Sequence, residues 1–435
     1  MQTNSDVNHS PGGWRWLVYL LLFVSSSMAD DWPQWRGPNR DGVWKEQDLS
    51  FPPEGVAVLW TVPAGGGYSS PVVSDGRVYA FDAELQNPRA WERLRCFDLN
   101  SGRLLWSQSN AVTYPDYGFD PDNGAGPNAT CIVDEGRIYS IGANGDLFCR
   151  ESRTGMVIWA TNLTQSTGLR DYAAITPSPL IEAGLLITVP GGESNATVVA
   201  FDKTTGKERW RALNDSWTYS SPIVITVAGE RQLIVWTPKA VTSLEPESGK
   251  ILWRENITSP GDMVVSTPVF NQGYLLAGGL MFKLGPKSSD RKLLWPEVVS
   301  PTKRIFSNTS TPLIQNNLVF TGTTAGKLIC VDRENGRQLW ETNTVTAPGN
   351  GSCLSLTPLA ELVLIFTDQG DLIRARLHES GYQEISRIHV IEPLHPFGGK
   401  KVVWVPPVFT HQSAILRNDA QIIRVDLQPT RQHPR

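Results

Sequence analysis

The chain has 435 residues, with 39 Lys and Arg against 43 Asp and Glu, which gives a formal charge of −4. This balance argues against nucleic acid or an anionic membrane surface as the main ligand, because both require a basic excess that neutralises phosphates. The apolar content of 40% is sufficient for a core, and the length fits two or three ordinary domains or one large repeat fold.

The first 29 residues have the pattern of a signal peptide. Arg15 precedes a short apolar run from Leu17 to Val24, and the small residues Ser27 and Ala29 fit a cleavage site. The run is too short to span a bilayer, and no later apolar stretch approaches 18 residues. We therefore expect residues 1–29 to be removed, and the remaining chain to be exported to the periplasm or beyond without a transmembrane segment.

Residues 30–56 form a leader that is rich in tryptophan. Its tryptophans are Trp32, Trp35 and Trp44. A free segment with these side chains would expose a large apolar patch, so we expect the leader to fold back onto the first and last repeat units. The residues expected to make turn or ion-pair contacts are Arg36, Arg40 and Asp41. The alternative is an arm that docks onto a partner.

A sequence motif that ends in tryptophan, here called the phrase, recurs after the leader. Its clearest form is DKTTGKERW at residues 202–210. The closing tryptophans are Trp60, Trp106, Trp159, Trp210, Trp253, Trp295 and Trp340, spaced by 46, 53, 51, 43, 42 and 45 residues. Trp295 closes a variant that lacks the glycine, and a further unit carries Ile385 in the tryptophan position. Each unit has four short apolar runs separated by turn residues, which is typical of a propeller blade.

Counting the units predicts eight blades. Seven units end at 106, 159, 210, 253, 295, 340 and 385, and an eighth begins near Pro407 but stops after its third strand, 421–426. The strand 58–61 has no blade of its own, and pairing it with 421–426 would close the ring and remove two exposed edges. We predict an all-β protein: an eight-bladed β-propeller of four-stranded antiparallel blades over residues 57–428, with the N-terminal strand closing the last blade. A short tail, 429–435, follows, and we expect a monomer.

The repeated phrase resembles the tryptophan-docking repeat of pyrroloquinoline-quinone (PQQ)-type eight-bladed propellers, and the resemblance covers roughly residues 57–428. The leader sequence WPQWRGPNRDG, residues 32–42, is similar to the start of secreted PQQ-like repeat proteins, especially those of planctomycete-type bacteria. Two functions go with this resemblance. Some members are quinoprotein alcohol or sugar dehydrogenases, and others, such as the BamB subunit of the outer-membrane barrel-assembly machinery, bind proteins without a cofactor. The seven closing tryptophans are expected to be structural, because a buried indole at each outer strand packs blade against blade.

The residues that the dehydrogenase resemblance implies are incomplete. Such enzymes hold PQQ between a tryptophan and, in many cases, a disulfide of adjacent cysteines, with Ca²⁺ bound by Glu, Asn and Asp. The cysteines here are Cys96, Cys131, Cys149, Cys330 and Cys353, and no two are adjacent. The histidines after the signal are confined to the last two blades and the tail, and no haem or zinc motif is present. We expect no metal site and no cofactor, with PQQ and calcium as the alternative.

A binding site on a propeller would lie over the central channel, in the connections from one blade's outer strand to the next blade's inner strand. Aromatic and arginine side chains there are the types that dominate binding hot spots, although exposed loops also carry occasional aromatics. The candidate ligand- or partner-binding residues are Tyr68, Arg170, Asp171, Tyr172, Trp217, Tyr219, Lys303, Arg304 and Trp404. No catalytic residue is predicted.

Three functions are compatible with these features. The first is a secreted, non-catalytic scaffold that binds a protein or peptide partner in the bacterial cell envelope. The second is a quinoprotein oxidoreductase that would use Arg170, Asp171, Lys303 and Arg304 with Trp217 or Trp404 as a platform. The third is a glycan-binding module. The fold alone does not separate them.

Overall fold

A computed structural model describes residues 1–2, 31–46, 49, 51–52, 55–120, 124–167, 175–192, 194–257, 264–287, 289–296 and 309–428. The signal peptide and the tail expected from the sequence lie almost wholly outside these ranges. The chain forms eight four-stranded antiparallel sheets arranged as the blades of a propeller, which confirms the predicted fold class. In the described part of the chain, no helix is long and apolar enough to cross a membrane.

Blades 1 to 4 follow one another along the chain, each with its strands in chain order from the channel outward. Blade 1 contains Val72–Ser74, Arg77–Gln86, Arg89–Asp98 and Leu104–Val112. Blade 2 contains Ile132–Asp134, Arg137–Ile141, Asp146–Glu151 and Val157–Asn162. Blade 3 contains Leu180–Glu182, Leu185–Thr188, Val198–Asp202 and Glu208–Ala212. Blade 4 contains Ile223–Val227, Glu230–Trp236, Ala240–Leu244 and Ile251–Asn256.

Blades 5 to 8 complete the ring. Blade 5 contains Val269–Asn271, Tyr274–Ala277, Leu280–Leu284 and Arg291–Trp295. Blade 6 contains Leu313–Gln315, Leu318–Gly322, Leu328–Asp332 and Gln338–Thr342. Blade 7 contains Leu354–Leu359, Leu362–Thr367, Asp371–His378 and Gly381–His389. Blade 8 contains Val408–Thr410, Ser413–Arg417 and Gln421–Asp426, with Val58–Pro63 as its outer strand.

Three smaller elements lie in the described parts of the connections between blades. A 3₁₀ turn at Asp116–Phe119 follows blade 1, and a five-residue helix at Leu163–Thr167 follows blade 2. A two-stranded hairpin, His395–Phe397 with Lys400–Val402, lies between blades 7 and 8.

The ring is closed by the N-terminal strand. Val58 pairs with Val425, Trp60 with Arg424 and Pro63 with Gln421 in an antiparallel ladder. This pairing confirms the prediction that residues 58–61 supply the strand that blade 8 lacks. It gives the third strand of blade 8 a hydrogen-bonded neighbour, which is how a propeller avoids open edges.

The closing tryptophans join neighbouring blades through one repeated contact. Six of the seven indoles donate their Nε1–H to a backbone carbonyl of the next blade, at Leu99, Ser152, Lys203, Pro246, Arg333 and His378. Five of them also pack on the glycine of the next phrase. These glycines, Gly102, Gly155, Gly206, Gly249 and Gly336, all have φ between +68° and +74°. A side chain there would collide with the indole, so glycine is required both by the turn and by the close approach.

The seam between blades 4 and 5 departs from this pattern where the sequence does. Because the phrase that ends in Trp295 has no glycine, Trp253 finds no such partner in blade 5. Its Nε1–H instead donates to Gln232 Oε1 of its own blade at 3.1 Å, and the Arg291 guanidinium lies 5.2 Å from its ring. A cation over the indole face replaces the usual packing on glycine.

The pairing of the outer strand of blade 7 shows that the predicted tryptophan position in this blade is wrong by one residue. In the other blades a bulge precedes the tryptophan, which then pairs with a third-strand residue, as Trp106 does with Cys96. In blade 7 the bulge leaves Arg374 opposite Ser386, so Ser386 and not Ile385 occupies the tryptophan position. Ile385 is the bulge residue and is exposed. At this seam, which has no tryptophan, Phe51 from the leader lies against the Arg374 guanidinium at 5.7 Å.

Candidate functional site

The two ends of the channel differ in what covers them. We call the end that carries the connections between successive blades the loop face, and the end that carries the turns between first and second strands the turn face. The leader begins and ends at the turn face. Asp31 accepts hydrogen bonds from Ser74 and Asp75 in the first turn of blade 1, and Glu46 accepts one from the Gln412 amide in the first turn of blade 8.

Between these ends the leader crosses the channel. Trp32 forms a two-way backbone bridge with Val73 of blade 1, and Trp44 stacks on Phe409 of blade 8 at 4.6 Å. The leader therefore contacts blades 1 and 8, where the sequence places it, but it also reaches the opposite side of the ring. Further hydrogen bonds join it to residues in or next to the first strands of other blades: Val133, Pro179, Pro222, Thr267 and Pro358. These contacts place the leader against the first strands on several sides of the channel.

Arg40 is the leader residue with the most contacts on the opposite side of the ring. Its guanidinium donates to the carbonyls of Ser178, Pro179 and Pro222, at 3.1, 2.8 and 3.1 Å, and is almost fully buried. Burial, reinforced by the charge of Arg36, lowers the pKa of Arg40 to about 9. The side chain remains a cation at neutral pH and holds the starts of two first strands together.

The loop face carries an aromatic cluster of four rings, Tyr68, His395, Phe397 and Trp404. The ring centres of Tyr68 and Trp404 are 5.7 Å apart, those of His395 and Trp404 are 5.4 Å apart, and Phe397 meets Trp404 edge-on at 4.7 Å. His395 is buried, whereas the other three rings are each partly exposed. Edge-to-face and tilted pairs at these separations are favourable beyond the area that they bury.

Hydrogen bonds fix the aromatic cluster in place. Tyr68 Oη lies 2.9 Å from His395 Nε2, and His395 Nδ1 lies 3.3 Å from the carboxylate of Asp419. Trp404 Nε1 donates to the Gly351 carbonyl at 2.9 Å. Burial, with a smaller contribution from the Asp419 charge, raises the pKa of Tyr68, so its hydroxyl stays protonated. The aromatic cluster thus links three connections, those between blades 6 and 7, 7 and 8, and 8 and 1. It also contacts the turn of blade 8 that carries Asp419.

The local sequence explains how the aromatic cluster forms. Gly398 and Gly399 have φ of +59° and +82°, which lets the hairpin turn tightly and place His395 and Phe397 on one of its faces. Two further glycines, Gly124 and Gly351, lie so close to Tyr68 and Phe397, respectively, that a Cβ on either would collide with the ring. The hairpin turn and these two glycines are what permit four rings to meet.

The buried aspartates near the loop face are engaged in ion pairs. Asp82, Asp215 and Asp368 are all less than a tenth exposed. Their cationic partners are Arg93 and Arg95 for Asp82, Arg254 for Asp215 and Lys400 for Asp368. Arg254 binds Asp215 through both carboxylate oxygens at 2.9 Å, and Lys400 Nζ lies 2.7 Å from Asp368. These ion pairs link residues near the loop face to one another.

Glu92 in blade 1 is different because it has no cationic partner among the described residues. Its Oε1 accepts hydrogen bonds from the Tyr114 hydroxyl and the Ala143 amide, both at 2.7 Å. Burial raises the pKa of Glu92 above its usual range, although both hydrogen bonds oppose the shift. It is a buried carboxyl whose protonation affects stability.

The structure brings together only some of the candidate residues from the sequence. Tyr68 and Trp404 meet in the aromatic cluster, whereas Trp217 and Tyr219 form a separate pair, with ring centres 5.0 Å apart, in the connection between blades 3 and 4. The candidates that lie outside the described residues are Arg170, Asp171, Tyr172, Lys303 and Arg304.

Three residues of the loop-face site were not predicted from the sequence: His395, Phe397 and Asp419. The pair Gly398-Gly399 is a weak hairpin signal in the connection between blades 7 and 8. Nothing local in the sequence links that hairpin to Tyr68, because their contact depends on the closure of the ring.

The five cysteines are all unpaired, and four of them are buried. Cys96, Cys149 and Cys330 lie opposite closing tryptophans, where burial raises the pKa of Cys96 and of Cys330 to about 12. Thiols in this state are packing residues. Among the described residues, no group of three His, Cys, Asp or Glu side chains could hold a metal ion.

A family profile described as outer membrane protein assembly factor BamB matches residues 90–285 and 194–428. The dehydrogenase subunit of a quinone-dependent alcohol dehydrogenase from Gluconacetobacter polyoxogenes is 25% identical over 231 residues, which is 49% of this chain and 28% of that protein. BamB from Burkholderia pseudomallei is 25% identical over 217 residues, 47% of this chain and 52% of that protein. The chain thus spans about half or less of the length of these relatives.

Two solved structures show the same fold. BamB from Moraxella catarrhalis superposes with a TM-score of 0.57 over 87% of this chain and 99% of its own, at 13% identity. The quinohemoprotein alcohol dehydrogenase from Comamonas testosteroni superposes with a TM-score of 0.62 over 93% of this chain and 82% of its own, at 14% identity. The fold is therefore common to an assembly factor and to an enzyme, and the choice between them depends on the residues of the site.

Proposed function

Because the chain belongs to the family of PQQ-like repeat propellers described as outer membrane protein assembly factor BamB, we propose that it is an exported, non-catalytic scaffold of the bacterial cell envelope. It binds a protein or peptide partner on its loop face. The observation that carries this proposal is the aromatic cluster, where Tyr68, Phe397 and Trp404 are partly exposed around the buried His395.

The composition and stiffness of the aromatic cluster support a binding role. Tryptophan and tyrosine are enriched among the residues that dominate protein interfaces, because they bury a large area and lose little side-chain freedom. Here the rings are held before any partner arrives, since Trp404 is bonded to Gly351 and Tyr68 contacts His395. A surface that is already ordered binds with a smaller entropic cost.

The charges near the loop face support a structural role for the residues that carry them. Asp82, Asp215 and Asp368 each bind an arginine or lysine of the protein itself. Lys400 is likewise held between Asp368 and the hydroxyl of Ser352. The contacts of Lys400 hold the hairpin that carries His395 and Phe397 against blade 7.

The proposal is tested by capture from detergent extracts of the source cell envelope. The parent protein, a Tyr68→Ala/Trp404→Ala double variant and a Leu104→Ser control would be compared as tagged baits. Leu104 is exposed on the outer strand of blade 1, away from the loop face. We expect a defined partner to be retained by the parent and the control and lost from the double variant. Equal retention by all three baits would contradict the proposal.

A quinoprotein dehydrogenase is the second candidate, favoured by the match to quinone-dependent alcohol dehydrogenase subunits. The described residues lack the cysteine disulfide that this resemblance implies, and both candidate platforms have packing partners: three ring centres lie within 5.7 Å of that of Trp404, and Trp217 packs on Gly191 and Tyr219. The other candidates for this site, Arg170, Asp171, Lys303 and Arg304, lie outside the described residues. Calorimetric titration with PQQ and Ca²⁺ separates the candidates: the scaffold gives no saturable heat, whereas tight binding would favour the dehydrogenase.

A further inference from the structure

The aromatic cluster lies beside a carboxylate that has no lysine or arginine partner among the described residues. We infer that the cluster and Asp419 together form a subsite for a basic side chain, lysine or arginine, of the partner peptide. This inference rests on the proposed function and names the chemistry of the partner. It combines two attractions for one cation, the field of a carboxylate and the negative faces of aromatic rings.

The position of Asp419 supplies the first attraction. Its side chain is 38% exposed, and its carboxylate lies 3.3 Å from His395 Nδ1. The turn that carries it, between the second and third strands of blade 8, lies on the loop face beside the hairpin. The charge of the same carboxylate contributes to the raised pKa of Tyr68, so the Asp419 carboxylate interacts electrostatically with a member of the aromatic cluster.

The nearest cations are engaged or face elsewhere. Arg417 is buried beneath the turn and is influenced by the Asp419 charge, but its guanidinium donates to backbone carbonyls, including that of Gly65 at 2.7 Å. Lys400 is paired with Asp368. Lys401 lies opposite Pro396 in the hairpin, and by the alternation of a strand its side chain lies on the face opposite His395 and Phe397. None of these three cations neutralises Asp419 by an ion pair.

The aromatic rings supply the second attraction. Tyr68 and Trp404 are tilted by 43° and Phe397 stands at 65° to Trp404, so the three partly exposed rings do not cover one another completely. A lysine or arginine stem can pack on such rings while its charged end approaches the carboxylate. An uncharged apolar side chain would gain only the contact with the rings.

The inference is tested by panning a displayed library of random heptapeptides on three purified proteins: the parent, Asp419→Asn and Glu361→Gln. Asp419→Asn removes the charge and keeps the shape of the side chain. Glu361→Gln is the matched control, because it removes an exposed carboxylate on the turn face of blade 7. The thermal midpoints of the three proteins establish that each is folded.

We expect the parent and the control to enrich peptides with lysine or arginine at a fixed position. The same peptides should bind Asp419→Asn about tenfold more weakly, as is typical when one member of a close charge pair is removed. Basic peptides that bind all three proteins equally would overturn the inference, since the net negative charge would then suffice. Enriched peptides without a basic residue would also overturn it and leave the proposed function standing. Enrichment of no peptide would also overturn the inference, and the capture experiment with the Tyr68→Ala/Trp404→Ala variant would then decide the proposed function by itself.

Discussion

The rim of the propeller, where the closing tryptophans lie, and its centre, where the leader contacts the first strands, are held together by different kinds of contact. At the rim, one contact is repeated: an indole donates to the next blade's carbonyl and packs on its glycine, as Trp159 does with Lys203 and Gly206. In the centre, each contact of the leader occurs once, and the loop face likewise depends on single contacts between distant segments. Repetition makes the rim tolerant of one altered seam, whereas the contacts that hold the leader have no second copy among the described residues.

This difference explains which substitutions should matter most. The seam between blades 4 and 5 lacks the glycine and still closes through Gln232 and Arg291. No such substitute is visible among the described residues for the leader, whose Trp32 and Trp44 belong to the largest apolar cluster in that part of the protein. We therefore expect substitutions in the centre to lower the free energy of unfolding more than substitutions at the rim.

The largest effect is expected for Trp44→Ala. This indole is 2% exposed and stacks on Phe409, so its removal leaves a cavity between the leader and blade 8. Loss of a buried tryptophan costs about 3–5 kcal/mol of the free energy of unfolding. Urea or thermal denaturation would measure it, and a loss below about 1 kcal/mol would mean that the leader is not part of the core.

A smaller effect is expected for Gly206→Ala at the rim. A Cβ there would lie 2.7 Å from the Trp159 ring, in a residue with φ of +72°. Gly184→Ala is the matched control in the same blade, because its φ is +78° and nothing lies within 4 Å of the added Cβ. We expect the control to lose about 1–2 kcal/mol of the free energy of unfolding from backbone strain alone. Gly206→Ala should lose about 1–3 kcal/mol more, because its Cβ also collides with the indole. Equal losses in the two variants would show that the docking contact contributes nothing.

The pH dependence of stability should distinguish the loop face from the rim. Because the pKa of Glu92 is raised in the folded protein, its contribution to stability is complete below the unfolded pKa and is lost as the pH rises through the folded pKa. Glu92→Gln cannot ionise and keeps an oxygen for Tyr114 and Ala143. We expect its thermal midpoint to match the parent at about pH 4, near the ordinary pKa of glutamate, and to exceed it at about pH 8. If the thermal midpoints of the parent and Glu92→Gln differ by the same amount at both pH values, the raised pKa of Glu92 is contradicted.

The smallest effect is expected for Arg211→Gln on the outer strand of blade 3. Arg211 binds Glu208 three residues earlier on the same strand, and both side chains are about one-third exposed. Solvent-exposed pairs of this kind contribute roughly 0.2–1 kcal/mol and less in high salt. A thermal shift comparable with that of Gly206→Ala would show that surface charge, rather than indole packing, holds the rim.

The features that repeat could be predicted from the sequence, and those that occur once could not. The spacing of the tryptophans is enough to give eight blades, and the missing fourth strand is enough to pair 58–61 with 421–426. The error at Ile385 arose because a bulge shifts the register by one residue, and only the paired strand shows that Ser386 lies opposite Arg374. Where no tryptophan is present, the phrase gives no point of alignment.

The loop face could be predicted only in part. The residue type of Tyr68 and Trp404 and their place in the connections are enough to predict them as candidates. The meeting of Tyr68 with His395 joins residues more than 300 positions apart, brought together when the ring closes. The contact of Arg40 with Pro179 and Pro222 has the same origin, since a leader residue reaches first strands that no local pattern connects to it.

The most direct test of the central claim is site-specific photo-crosslinking in living cells of the source organism. A photoreactive residue would replace Phe397 in the aromatic cluster or Glu361 on the turn face; Phe397 is partly exposed and Glu361 is exposed. We predict a discrete adduct with one partner from position 397 and none from position 361. An adduct from position 361 alone, or none from either position, would contradict the assignment of the loop face as the binding surface.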